Sequence, residues 1–377
     1  MRRLLLLASI TLLALAGCSS TESSPETSPS SAALPADVVE ALKMQLTRTM
    51  DTNKVPGAAV EVCIPGYEDT AIVEGVADLE TGEPITEDLV WPIRSVTKSF
   101  TVTLILQLVD EGKISLDDTI DQWVPDVPNG DRITLRQLAD MSSGVPEYTT
   151  RAWIEDFVAD PSRGFTTQEL IEYAVAEPAQ FEPGAKKVYV NTSTLLLGEV
   201  VTAEYGQPFD QVVSEQILQP LGLSDTEYVT TPDGWSGPHP TGYQPDDSGS
   251  LEAQPNNFTV FGPAGAMTST LTDLCAWGDA LGSGALLDPV TQQARVDGAP
   301  LEEGPEYDVY GQGIGSLEGW IGHTGEGFGH TVLVMHNPTS GSTAVVAMNL
   351  SGTGKHVPTR YFRKVAPVLD AVPAAGG

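Results

Sequence analysis

Ser95-Val96-Thr97-Lys98-Ser99-Phe100-Thr101-Val102-Thr103-Leu104-Ile105-Leu106-Gln107-Leu108-Val109 is the stretch that decides the fold. Phe100, Leu104, Ile105 and Leu108 fall at helical spacing and Gly112 follows, so one long helix is expected from Ser95. A serine at a helix start is ordinarily a cap. Here it has a second use, because Lys98 three residues on shares its face. No other Ser-x-x-Lys occurs among the eight lysines of the chain. A part-buried lysine in that place loses its charge readily and can act as a base. The helix N-terminus favours negative charge developing beside it.

Outward from this helix the texture changes twice. Upstream, residues 38–50 have helical apolar spacing, Pro56-Gly57 breaks it, and residues 58–64 and 71–76 read as strands. Downstream, residues 116–206 hold short helical stretches at 135–140, 167–176 and 192–203, separated by Pro and Gly. A small-residue turn and a helix follow within 262–282. Strand character returns at 313–317, 330–336 and 342–350, and residues 358–371 form a closing helix. Strands at both ends with helices between imply an α+β domain over 36–371, carrying a mainly helical insertion at roughly 116–260.

Two further motifs stand out. Tyr189-Val190-Asn191 is the only Tyr-x-Asn among ten tyrosines. It offers a phenol that can exchange a proton and an amide that can orient a carbonyl, although Asn191 also suits the start of a helix. His323-Thr324-Gly325 lies in a glycine-rich run before the late hairpin, where backbone can approach a ligand closely. A single histidine beside a turn is more often structural.

Ser-x-x-Lys, Tyr-x-Asn and His-Thr-Gly in this order resemble the serine hydrolase family of class C β-lactamases and D-alanyl-D-alanine carboxypeptidases. The resemblance extends to Gly75-Val76-Ala77-Asp78 and to residues 94–100, 106–113, 133–144 and 183–198. It implies an antiparallel sheet flanked by the terminal helices, with a cleft against the helical part. It also implies roles. Ser95 would be the acylated nucleophile, with Lys98 and Tyr189 sharing its proton and the choice of base open. Asn191 would hold the acyl side of the substrate. His323 would sit on the edge strand, donating toward Tyr189, and Thr324 and Gly325 would border the substrate. The backbone N–H groups of Ser95 and Glu326 would form the oxyanion hole. No metal or organic cofactor is implied, and a monomer is expected.

The substrate is less constrained than the chemistry. Histidine at the head of the third motif resembles the carboxypeptidases, so a peptidoglycan stem peptide is the first expectation. Residues 311–322 nevertheless lack the Arg or Lys that would bind a terminal carboxylate, and Glu318 and Glu326 lie close in sequence. An esterase or amidase for a small substrate, or a β-lactamase, are alternatives within the family. A non-catalytic lipoprotein that binds cell-wall fragments is the alternative outside it.

The N-terminus carries its own message. Residues 1–17 have a basic start and a short apolar run, and Leu15-Ala16-Gly17-Cys18 resembles a bacterial lipobox, with Cys18 lipidated. Residues 18–35 are rich in Ser, Thr and Pro and read as a disordered tether; residues 372–377 read as a flexible tail. The expectation is an exported domain held at the bacterial envelope by lipid alone. Cys63 and Cys275 are either a disulfide, which export permits, or two small buried hydrophobes. With 51 acidic against 19 basic side chains, a net charge of −32, the chain is a poor partner for nucleic acid or anionic lipid. That field also discourages anionic substrates at long range.

Overall fold

The structure is a computed structural model that describes residues 31–373. The expected signal peptide, Cys18, most of the expected tether and residues 374–377 lie outside the described residues. No helix among the described residues is long and apolar enough to cross a membrane.

Seven antiparallel strands form the central sheet: β1 (Gly57–Cys63), β2 (Thr70–Gly75), β3 (Val309–Tyr310), β4 (Gly315–Leu317), β5 (Trp320–Gly327), β6 (His330–His336) and β7 (Thr343–Met348). Their spatial order is β2-β1-β7-β6-β5-β4-β3, so the first strands of the domain complete a sheet begun by the last. Alternate residues bury on opposite faces. Leu333, Met335, Val346 and Met348 meet α1 (Ala36–Asn53) and α5 (Val357–Asp370). Val332, Val334, Val345 and Ala347 meet the other core, built on α2 (Thr97–Asp110), α3 (Asn191–Tyr205) and α4 (Leu271–Ser283). Both faces are therefore covered, and the inner strands are apolar throughout rather than alternating. This is the α+β arrangement expected from the sequence.

The residues of α2 from Thr97 to Leu106 are all buried, as befits a helix surrounded on every side. Between α2 and α4 the chain forms short helices at Leu135–Ala139, Arg151–Ala159 and Thr167–Val175, then α3. Thr134 and Thr166 each close a capping box, which is why these short helices start where they do. A small three-stranded sheet, Trp91–Pro92, Met267–Ser269 and Glu227–Tyr228, joins this part to the serine turn.

Several expectations need correction. The helix does not start at Ser95; residues Arg94–Val96 form a 3-10 turn and α2 begins at Thr97. His323-Thr324-Gly325 does precede the β6–β7 hairpin, but it lies inside a strand of its own, β5, paired with β6. Packing of the domain begins before residue 36. Ala32 bridges Tyr67 and Leu34 is buried, because that leucine finds an apolar groove beside α1. At the other end, Val372 packs on the same core and the Pro373 carbonyl accepts from Tyr67 Oη at 2.9 Å. Of the two readings for the cysteines, the structure takes the disulfide: Cys63 of β1 is bonded to Cys275 of α4, across 212 residues of chain.

Candidate active site

The serine turn is held from both sides. Ile93 N–H donates to the Met267 carbonyl at 2.9 Å. On the other side β5 passes so close that a Cβ on Gly325 would lie 2.2 Å from the Ile93 carbonyl oxygen. Only glycine permits that approach, which gives the third residue of His-Thr-Gly a steric reason. Ser95 is thereby presented at a cleft of about 400 Å³.

Lys98 lies one turn further on and is fully buried. Its Nζ donates to Ser95 Oγ at 3.0 Å, to Asn191 Oδ1 at 2.7 Å and to the Ala264 carbonyl at 2.9 Å. The Tyr189 ring stands 5.0 Å from the same nitrogen. Burial lowers the Lys98 pKa to about 7, against a smaller upward pull from Glu147. The amine is thus poised between its two protonation states near neutral pH.

Tyr189 and Asn191 reach this amine from the start of α3. Asn191 must present its oxygen to Lys98, since an ammonium has no acceptor, and its NH₂ is left for a ligand. Glu147 Oε2 accepts from the Asn191 N–H at 2.7 Å, so a carboxylate sits at the N-terminus of α3. Burial raises the Glu147 pKa, opposed by that hydrogen bond and by Lys98. Tyr189 is raised well above the ordinary phenol value, chiefly by burial. Among the described residues its hydroxyl makes no well-formed hydrogen bond, though Ser95 lies near enough to oppose the rise.

The third motif divides between two faces. Thr324 and Glu326 line the cleft, whereas His323 does not. His323 is fully buried, its Nε2 3.0 Å from Tyr310 Oη and its Nδ1 2.7 Å from the Thr324 carbonyl. Burial pushes its pKa down to about 3, so it is a neutral ring. Its place is behind Tyr189, 6.3 Å between rings, rather than in the substrate's path. The edge expectation also needs refinement: β4 pairs with Trp320–Gly322 of β5, and the edge is free of strand partners only from His323 onward. There the Thr324 N–H leaves the sheet and donates to Tyr307 Oη at 2.7 Å. By the two-residue period of a strand, the Glu326 N–H leaves on the same open side.

Of the charged groups at the cleft, Glu326 is the one the sequence pointed to. Glu306, Glu326, Lys355 and His356 all border the cleft. His356 Nε2 donates to the Gly325 carbonyl at 3.1 Å while its Nδ1 accepts from the Thr359 N–H, capping α5. Glu326 Oε1 accepts from the Gly352 N–H at 2.9 Å. Glu318 faces away, paired with Arg363 at 2.5 Å. Glu147, Tyr307, Tyr310, Lys355 and His356 were not found from sequence. Only Lys355-His356, just ahead of the proline-started last helix, left a local sign. As for metals, the grouping of Glu61, Cys63 and Cys275 has its two sulfurs bonded to each other.

Comparison with known proteins bears on the family and the fold. Residues 44–366 match the Beta-lactamase family. A D-aminopeptidase of Brucella anthropi is 31% identical over 229 residues, 59% of this chain and 42% of the relative. Esterase EstB of Burkholderia gladioli is 29% identical over 188 residues, 46% of this chain and 47% of the relative. The matched stretch spans less than half the length of these curated relatives. Among solved structures, D-amino acid amidase from Ochrobactrum anthropi SV3 with D-phenylalanine superposes with a TM-score of 0.79 at 26% identity, covering 89% of this chain and 99% of that one.

Proposed function

The chain belongs to the Beta-lactamase family of serine hydrolases, and from that premise we propose an exported, lipid-anchored enzyme that acylates Ser95 and cleaves peptide or amide bonds of D-amino acids. One observation carries the chemistry: a fully buried lysine with a pKa lowered to about 7, 3.0 Å from a serine hydroxyl at a cleft. Ser95 Oγ attacks the substrate carbonyl as its proton passes to neutral Lys98. Burial keeps Tyr189 a phenol rather than a starting base, so it relays a proton to the leaving group as protonated Lys98 refills it. The oxyanion accepts from the N–H groups of Ser95 and Glu326. Asn191 Nδ2 and Thr324 Oγ1 orient the substrate. Water then attacks the acyl carbon, its proton passing to Lys98 and on to Ser95 Oγ as the ester bond breaks and the serine is freed.

Two substrate readings follow from the cleft charges. Lys355 supports a carboxylate-bearing stem peptide, with release of terminal D-alanine. Glu306 and Glu326 support a D-amino acid amide or peptide with a free amine, the class that the names of the aminopeptidase and amidase relatives suggest. A peptide ending in D-Ala-D-Ala, a D-alanine amide, a penicillin and an activated ester should be tested on the parent and on Ser95→Ala, following product and protein mass. The expected result is turnover and an acyl adduct on the parent, both lost in Ser95→Ala. Lys355→Ala should then lower kcat/KM for the stem peptide about tenfold and spare the amide, with Glu306→Gln doing the reverse. No turnover and no adduct would leave the non-catalytic reading.

Export and anchoring are supported by the lipobox at Cys18 and by the Cys63–Cys275 disulfide, a bond stable in oxidising compartments. Cys18→Ala should move the protein from the membrane fraction to the soluble one without changing its rate. Retention at the membrane would contradict the anchor.

A further inference from the structure

Arg94 immediately precedes Ser95 and its backbone is left-handed, with φ of +50°. A long side chain takes that conformation only where its surroundings impose it. The surroundings are explicit. The side chain is fully buried, and its guanidinium carbon lies 5.2, 5.0 and 5.8 Å from the ring centres of Phe258, Phe261 and Phe328. Nε donates to the Gly327 carbonyl at 3.1 Å and Nη2 to Asn256 Oδ1 at 2.5 Å. Nη1 has no partner. Phe328, in the tight turn after β5, is itself left-handed at φ of +42°.

One cation therefore ties together three segments: the turn that carries Ser95, the end of β5 just past Glu326, and the turn whose Phe261 lines the cleft. As a stabilising device this is a poor choice. It combines a strained backbone with a buried charge that leaves a donor unsatisfied. Strain and incomplete solvation concentrated beside a nucleophile point to positioning. Resting on the reading of Ser95 as nucleophile, we propose that Arg94 is a positioning residue for acyl transfer: it fixes the distance between the N–H groups of Ser95 and Glu326. A misplacement of about 1 Å at such a site costs on the order of a hundredfold in rate.

The test uses the full chain, an activated p-nitrophenyl ester, and titration of reactive serine with a fluorophosphonate, so that rates are expressed per competent site. Arg94→Met keeps the apolar bulk but loses the cation and both hydrogen bonds. It should lower kcat per titrated site about 30- to 100-fold, with KM changed by less than about threefold. Arg94→Lys keeps the charge without the fork and should recover part of that loss. Asn256→Ala, at a partly exposed position, removes one acceptor while leaving the core intact; kcat per site should fall about three- to tenfold. It decides the matter if Arg94→Met does not fold. Parent-like kcat per site in Asn256→Ala and in any folded Arg94 variant, with Ser95→Ala inactive, would overturn the proposal. Turnover surviving Ser95→Ala would instead overturn the nucleophile assignment.

Discussion

Lys98 and Glu61 are two buried ionisable groups that titrate near the same pH for the same reason, yet only one of them is equipped for chemistry. Burial lowers Lys98 to about 7 and raises Glu61 to about 7. Lys98 has three hydrogen-bond partners, one of them the Oγ of Ser95, which lines an open cleft. Glu61, on β1 near the disulfide, has one hydroxyl partner, Thr272, at 3.2 and 3.3 Å, and shares its pocket with Glu68, Asp69 and Glu87. The contrast teaches that desolvation alone marks burial. A displaced pKa becomes a catalytic signal when a nucleophile lies within hydrogen-bond reach and space for a substrate lies beyond it.

The largest expected effect is at Lys98. Lys98→Met should lower hydrolysis of an activated ester by at least about a thousandfold. It should not destabilise the fold, because an apolar side chain replaces a buried amine. Urea unfolding beside steady-state rates would check both halves. A smaller loss, about a hundredfold, is expected for Gly325→Ala, since the new Cβ would push β5 away from the serine turn. A crystal structure of that variant with β5 unmoved and full activity would contradict the packing argument.

Glu61 should behave in the opposite sense, changing stability but not rate. Its folded pKa lies above the ordinary 4.5, so the folded state binds the proton more tightly than the unfolded one. The resulting stabilisation is complete below about pH 4.5, declines as pH rises toward 7 and is absent above it. Glu61→Gln keeps a neutral side chain at every pH. At pH 8 it should be more stable than the parent by on the order of 1–2 kcal/mol, once solvent screening is allowed for. At pH 4 the two should be equal. Chemical denaturation at the two pH values decides it, and a loss of ester hydrolysis in Glu61→Gln would erase the distinction from Lys98.

The same contrast explains what could be read from sequence. Local period marked Phe100, Leu104, Ile105 and Leu108 as the face of one helix, and the apolar runs of β6 and β7 as strands. Those signals lie within a few residues of each other. Ser95 and Lys98 were legible for the same reason, being one turn apart. Glu147 was not, because it meets Asn191 and Lys98 only after the chain has folded back. Lys355 and His356 join the cleft through the β7–α5 connection, which no spacing rule could relate to the stretch before His323. His323 itself shows the limit of a motif: its identity was visible, but its burial against Tyr310 depends on β3 and the register of β5. The left-handed backbone at Arg94 is likewise imposed by three distant phenylalanines rather than by its neighbours.

The central claim is that Lys98, half-neutral near pH 7, takes the proton from Ser95. Its most direct test is the pH dependence of single-turnover acylation of Ser95 by a fluorophosphonate, between about pH 5 and 9. The expected result is a rate that rises about tenfold per pH unit at the acid end and levels off with a midpoint near 7, with that ionisation missing from Lys98→Met. A flat profile, or the same midpoint surviving in Lys98→Met, would contradict it.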